Sequence, residues 1–197
     1  MDRTDESLII AHRKGDPAAF GELVRRYADA LLGYFVQMTA NIDLAEDFFQ
    51  ETFKRVHEKA HTFRSQGRFK PWLFTIATRV AINGLRKRRR LPVLSLNQEC
   101  DCTGKDCKEP GAVAVAGNWS DPSEQAVKAE LKQQVRQAIE LLPARQRATL
   151  VLAYFQQLSY RQVAEVMGCS IGTVKTQMYR ALRTLAQRLP DISGETK

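Results

Sequence analysis

The sequence lacks most of what would mark an enzyme, a secreted module or a membrane protein. Across its 197 residues no apolar run approaches the ~18–20 residues that a bilayer span requires. The opening MDRTDESLII is acidic where a secretory signal needs a basic cluster and then an apolar stretch. A cytoplasmic protein without membrane insertion is therefore expected. Four cysteines in a reducing compartment do not make a disulfide framework. There is no glycine-rich phosphate loop, no pair of catalytic carboxylates and no nucleophile triad spacing, so neither catalysis nor a cofactor is expected. Acidic residues are also missing from two particular places. Residues 64–90 hold 9 basic and no acidic side chains, and no acidic residue lies between Ser170 and Arg188.

What is present is an ordinary globular composition, 44% hydrophobic and 26% charged, with a net charge of +8 that is unevenly distributed. Residues 1–63 carry 11 acidic and 8 basic side chains, and residues 91–131 carry 7 acidic and 3 basic. Residues 132–197 return to 10 basic against 4 acidic. Two basic blocks in foldable, periodic sequence, separated by an acidic stretch, suggest two footprints on a polyanion, with nucleic acid the leading candidate.

The periodicity is helical throughout. Phe20, Leu23, Val24, Tyr27, Leu31 and Phe35 recur at three- and four-residue steps from Pro17 onward. A second helix is predicted from about Asp43 to Lys59 with Leu44, Phe48, Phe53 and Val56 inward. A third begins near Pro71, a favoured first-turn residue, and buries Leu73, Ile76, Ala77 and Val80. Residues 61–70 between them read as a polar loop. Residues 91–122 contain Pro92, Gly104, Pro110, Gly111, Gly117 and Pro122 and lack periodicity, which predicts a linker. The expected organisation is all-α, with two small helical domains, 1–90 and 123–197, joined by 91–122.

In the second domain helices are predicted from Ser123 to about Leu142 and from Ala144 to Gln156. Ser159 followed by Gln162 is a capping box that opens a short helix with Val163, Ala164 and Met167 inward. Gly168-Cys169-Ser170 turns the chain, with Cys169 read as a small buried turn residue. Ser170 then caps a helix whose predicted buried face is Ile171, Val174, Met178, Ala181, Leu182 and Leu185. A short helix, a glycine turn and a longer helix with a basic outer face make a helix-turn-helix, whose second helix enters the major groove. Ser170, Gly172, Thr173, Lys175, Thr176, Tyr179, Arg180 and Arg183 are the candidate duplex-binding residues.

The first basic block is a second candidate site. Phe63, Phe69 and Trp72 interleave with Arg64, Arg68 and Lys70, a mixture suited to unstacked bases and a single-stranded backbone. The simpler role for Phe69 and Trp72 is to complete a small core. Arg79, Asn83 and Arg86 continue this candidate surface along the helix. Asp43, Glu46, Asp47, Gln50 and Glu51 form an acidic helix face that DNA would repel, so a basic protein partner is expected there. Cys100-x-Cys102-x4-Cys107 is the single metal candidate, a weak one, because its spacing fits no standard zinc ribbon and the histidines lie elsewhere, at 12, 57 and 61.

These residues together resemble the extracytoplasmic-function (group 4) sigma factors of bacterial RNA polymerase. Asp43–Phe53 is similar to region 2.2, Phe63–Ala77 to regions 2.3 and 2.4, and Leu141–Arg147, Leu158–Gly168 and Gly172–Lys175 to region 4. The resemblance implies that the acidic face docks on the β′ clamp helices of core RNA polymerase, with further contact to the β subunit. It implies that the 61–70 loop holds a base flipped from the −10 element, that Arg79 and Asn83 face the same element, and that Lys175, Thr176, Tyr179 and Arg180 read the −35 element as duplex. It also implies an anti-sigma factor as a partner. The cysteines of 91–122 are no general feature of that family. The residues leave two other readings open: a stand-alone duplex-binding regulator acting through 159–188, and a metal- or thiol-responsive sensor acting through the three linker cysteines.

Overall fold

The structure, a computed structural model, describes residues 3–64, 67–90 and 133–189. Four helices make the first unit: α1 (Asp5–Arg13), α2 (Pro17–Thr39), α3 (Ile42–Lys59) and α4 (Phe69–Arg90), with a 3-10 turn at Ala60–Thr62. The second unit holds α5 (helical over 133–140), α6 (Ala144–Tyr154), α7 (Tyr160–Met167) and α8 (Ile171–Arg188). Among the described residues there is no strand. The 91–122 linker and Cys100, Cys102 and Cys107 lie outside them, as do residues 123–132 of the helix predicted from Ser123.

Local chemistry sets the helix starts. The Asp16 side chain accepts the Ala19 N–H at 3.2 Å, and Pro17 follows in the first turn of α2. Asn41 caps α3 by accepting from Leu44 N–H at 2.7 Å, just after Ala40 ends α2 in the left-handed conformation. The predicted stripe of α2 faces inward, with Leu23 and Leu31 fully buried and Phe20 and Val24 at its edge. Tyr34 is wholly buried, and its hydroxyl is satisfied by Thr78 Oγ1 at 2.9 Å, so the phenol is held neutral well above its usual titration range by burial.

Helix α3 packs against α4 at Gly84, where the Phe48 ring lies over the glycine. A Cβ on Gly84 would lie within 2.5 Å of both Cζ and Cε1 of Phe48, so any side chain there would force that ring to move. The capping box is formed: Ser159 Oγ accepts from Gln162 N–H at 3.3 Å while Gln162 Oε1 accepts from Ser159 N–H at 2.9 Å. Gly168 ends α7 at φ 61°, the left-handed region that favours glycine.

Several boundaries and burials differ from expectation. Helix α1 was not foreseen. Helix α4 begins at Phe69 rather than Pro71, which places the proline third in the helix, where its missing N–H is still one of the unpaired first four. Helix α6 stops at Tyr154, short of Gln156. Ile171 and Leu182, predicted inward, are 44% and 51% exposed because no helix covers the flanks of the α8 stripe. Val166 takes the buried place expected for Met167, and Cys169 is half-buried.

The two units pack against each other, α6 and α7 lying on α2 and α4. Arg147, half-buried on α6, donates to the carbonyls of Met38 on α2 and of Glu140 and Leu142 in its own unit. Gln156 donates from its amide to the Ala30 carbonyl at 3.2 Å, and its backbone carbonyl accepts from Lys70 Nζ at 2.9 Å.

Candidate nucleic-acid interface

The capping serine fixes the start of α8 and so orients its outer face. Ser170 Oγ accepts from Thr173 N–H at 3.1 Å and lies 3.0 Å from Thr173 Oγ1. Lys175, Thr176, Tyr179, Arg180 and Arg183 are all exposed, as are Gly172 and Thr173 at the N-terminal end. Thr176 Oγ1 donates back to the Gly172 carbonyl at 3.0 Å, so its methyl group is the part free to meet a ligand. On the opposite face Val174, Met178 and Ala181 are buried, and Gln177 Oε1 accepts from Thr149 Oγ1 at 2.9 Å, tying α8 to α6. The result is a rigid helix presenting three cations and no carboxylate. Phosphate attraction together with side chains that can reach base edges is what duplex readout requires.

The second candidate surface surrounds the loop before α4. Arg64 and Arg68 are exposed, and Gly67 N–H donates to the Arg64 carbonyl at 2.8 Å, closing a turn. The aromatic expectation needs correction. Phe63 is 3% exposed and Phe69 is fully buried, so neither ring offers a face to a base. They form a cluster with Trp72, at centroid separations of 5.3 Å (Phe63–Trp72), 5.9 Å (Phe69–Trp72) and 6.1 Å (Phe63–Phe69). Trp72 alone of the three retains partial exposure. Burying two rings here stabilises the α1–α4 junction more than an exposed stacking platform would.

Arg79, Asn83 and Arg86 are exposed along α4. Arg79 and Asn83 line a cleft with Thr78 and Ile82, closed on the far side by Arg145 and by Val166, Met167 and Gly168 at the end of α7. The α4 face and the helix-turn-helix thus meet across one seam. Lys70 lies at the same seam, engaged by the Gln156 carbonyl.

The acidic face is displayed as expected. Asp43, Glu46, Asp47 and Gln50 are exposed on α3, and Glu51 is partly covered by its ion pair with Arg55 at 2.7 Å. Among the described residues no group of three His, Cys, Asp or Glu side chains is placed to hold a metal ion, and no helix is long and apolar enough to cross a membrane.

Sequence reasoning missed the contribution of α1. Its Glu6 accepts from the Phe69 N–H at 3.0 Å and its Arg13 donates to the Phe63 carbonyl at 3.3 Å. Both contacts join residues 50 or more positions apart, and no local spacing announces them.

Residues 23–91 match the family model for sigma-70 region 2, and residues 132–185 match that for sigma-70 region 4. The chain is 30% identical over 191 residues to the RNA polymerase sigma-H factor of Pseudomonas aeruginosa, covering 97% of this chain and 96% of that one. It is 32% identical over 180 residues to the ECF RNA polymerase sigma factor SigW of Bacillus subtilis, covering 91% and 94%. Among solved structures, the sigma factor RpoE of Bartonella quintana, in complex with the anti-sigma factor NepR, superposes with a TM-score of 0.62 at 27% identity, covering 87% of this chain and 97% of that one. CnrH, in complex with the cytosolic domain of CnrY, shares the fold with a TM-score of 0.67 at 22% identity, covering 94% and 97%.

Proposed function

This chain belongs to the extracytoplasmic-function sigma factors of the sigma-70 family, and from that premise we propose how its helices divide the work of promoter-directed initiation. The family directs promoter-specific transcription by RNA polymerase and is itself non-catalytic. The acidic face of α3, Asp43, Glu46, Asp47, Gln50 and Glu51, docks on core polymerase. The α8 face reads the −35 element as duplex through Lys175, Thr176, Tyr179 and Arg180, with Ser170, Gly172, Thr173 and Arg183 on the flanking backbone. The 64–68 loop with Lys70, Trp72, Arg79, Asn83 and Arg86 engages the −10 strand. Lifting a base from the stack costs a few kcal/mol, and local cation–phosphate attraction with a partly exposed Trp72 helps offset it.

The observation that carries this reading is the separation of charge by helix. Carboxylates occupy the outer face of α3, whereas α4 and α8 carry exposed cations and no carboxylate of their own. One protein with both faces suits simultaneous attachment to a basic protein surface and to DNA.

The packed arrangement must open for this task. Elements centred at −35 and −10 lie about 25 base pairs apart, roughly 85 Å of duplex at ~3.4 Å per pair. In the structure the α4 face and α7 share one cleft. The 32 residues of 91–122 reach roughly 105 Å when extended at ~3.3 Å each, enough to bridge the interval as the linker between two domains, 1–90 and 123–197. Separation frees Lys70 from the Gln156 carbonyl and opens the cleft that Arg79 and Asn83 line. By analogy with the Bartonella relative, solved in complex with an anti-sigma factor, such a factor is a partner of this chain.

The division of labour is tested by two double variants assembled with core polymerase. Asp47→Lys with Glu51→Lys is expected to weaken core affinity at least tenfold. Lys175→Ala with Arg180→Ala is expected to leave core affinity within twofold and to lower use of a −35 element, by about 1–3 kcal/mol for each base-specific bidentate contact. Equal core affinity for the first pair, or a parallel loss of core affinity for the second, contradicts the assignment.

A further inference from the structure

The loop assigned above to the −10 strand has both of its ends fixed by a helix that precedes the stretch matched by the sigma-70 region 2 model. The match to the sigma-70 region 2 model begins at residue 23, after α1 (Asp5–Arg13), although the relatives align over nearly the whole chain. At one end of the loop the Phe63 carbonyl accepts from Arg13 Nη1 at 3.3 Å. At the other end Phe69, first residue of α4, donates its N–H to Glu6 Oε1 at 3.0 Å. Glu6 and Arg13 are seven residues apart in one helix, so they share a face two turns apart.

The helix that carries them is itself held in place. Leu8 and Ile9 are 1% and 0% exposed against the core, and Thr4 caps the first turn through the Ser7 N–H. Asp5 accepts from Tyr27 Oη at 2.6 Å and pairs with Arg26 at 2.9 Å, which fixes α1 along the axis of α2. Beneath the loop the Phe63–Phe69–Trp72 cluster sets the spacing of the two ends. The Glu6 carboxylate also lies where the first, unpaired N–H groups of α4 need an acceptor and where the helix dipole favours negative charge.

We propose that α1 is a brace for the −10 loop, with Glu6 and Arg13 as positioning residues that determine how sharply the loop discriminates among bases. The inference rests on the −10 reading above. Neither residue touches DNA in this account. They hold the Phe63 and Phe69 ends so that Arg64, Arg68 and the Trp72 edge keep one geometry. A loop with a loose end still attracts phosphate, because Arg64 and Arg68 remain, but it rejects a wrong base less well.

The test uses full-length protein assembled with core polymerase and forked promoter DNA that is single-stranded over the −10 element. Each single-stranded position is changed in turn to every other base, and the ratio of cognate to non-cognate affinity is measured. Glu6→Ala and Arg13→Ala are expected to reduce that ratio at least fivefold at the positions the loop reads, with core affinity changed less than twofold. Glu6→Gln, which keeps an acceptor oxygen for the Phe69 N–H, is expected to retain most of the discrimination and so also covers the case in which the alanine variant folds poorly. Amide exchange at Phe69 should accelerate in Glu6→Ala and stay near wild type in Glu6→Gln. Unchanged base ratios in both alanine variants, or a loss in Glu6→Gln as large as in Glu6→Ala, overturn the brace. A wild-type holoenzyme with no base preference on the fork overturns the −10 reading itself, a result separable from either of these.

Discussion

Replacing Gly84 by alanine should reveal the close α3–α4 contact through a change of sign. Gly84 lies inside α4, where alanine ordinarily stabilises a helix by about 1 kcal/mol relative to glycine. Here the added methyl would occupy the space of the Phe48 ring, which is only 8% exposed and packs edge-on to Phe35 at 5.8 Å. Forcing that ring aside is overpacking, typically ~1–3 kcal/mol. The two terms leave Gly84→Ala destabilising by up to about 2 kcal/mol. The atoms in the way are the outer ring carbons of Phe48, which leucine does not have. In a Phe48→Leu background the same Gly84→Ala change should therefore stabilise by about 1 kcal/mol, a coupling of roughly 1–3 kcal/mol between the two sites. Urea unfolding of the four proteins, followed by helix signal and compared at equal slope, measures it. Stabilisation by Gly84→Ala in both backgrounds would refute the close-contact argument. Because Phe48 is the chain neighbour of Asp47, the single variant should also lower core affinity, and the Leu background should restore it.

Two further outcomes follow from one buried and one partly covered polar group. Thr52 Oγ1 is fully buried without a partner, so Thr52→Val should be neutral or stabilising by up to about 1 kcal/mol, and a loss above that in thermal unfolding would show a missed partner. His12 stacks on Phe20 at 4.6 Å and its Nε2 lies 3.1 Å from His57 Nδ1. Burial first, then the neighbouring His57, lowers its pKa below the ordinary 6.5, against the opposing pull of Asp16. The unfolded chain then binds more protons than the folded one, so this contribution is complete above about 6.5 and is lost as pH falls through that value toward the folded one. Unfolding midpoints at about pH 7.5 and 5.5 should differ less in His12→Asn than in wild type, and an identical pH dependence would contradict the assignment.

Periodicity and capping made α2, α3 and the helix-turn-helix legible, because each signal is local. The α2 stripe, the Ser159–Gln162 box and the Ser170 cap act within four residues of themselves. The start of α4 was misread for the opposite reason. Pro71 is the local signal for a first turn, but the acceptor that satisfies the Phe69 N–H comes from Glu6, 63 residues away. Phe63 and Phe69 were read as DNA-facing because aromatics beside arginines suit unstacked bases. Their burial depends on α1, a nine-residue helix whose apolar content is too short to give a clear period. The exposure of Ile171 and Leu182 has a related cause. Spacing tells which face a residue shares, whereas burial requires a neighbouring element over it. Spacing therefore places the three candidate surfaces on α3, α4 and α8, whereas the packing of α4 against α7 has no local signal.

Promoter-specific initiation is read out by run-off transcription. Purified bacterial core polymerase is supplied with a pool of genomic promoter fragments, with and without this protein. Discrete transcripts are expected only when the protein is present, from templates sharing one −35 and one −10 sequence, and they are lost with Lys175→Ala and Arg180→Ala. Folded protein that binds core polymerase yet yields no transcript from any fragment, or that protects duplex DNA equally well without polymerase, would contradict it.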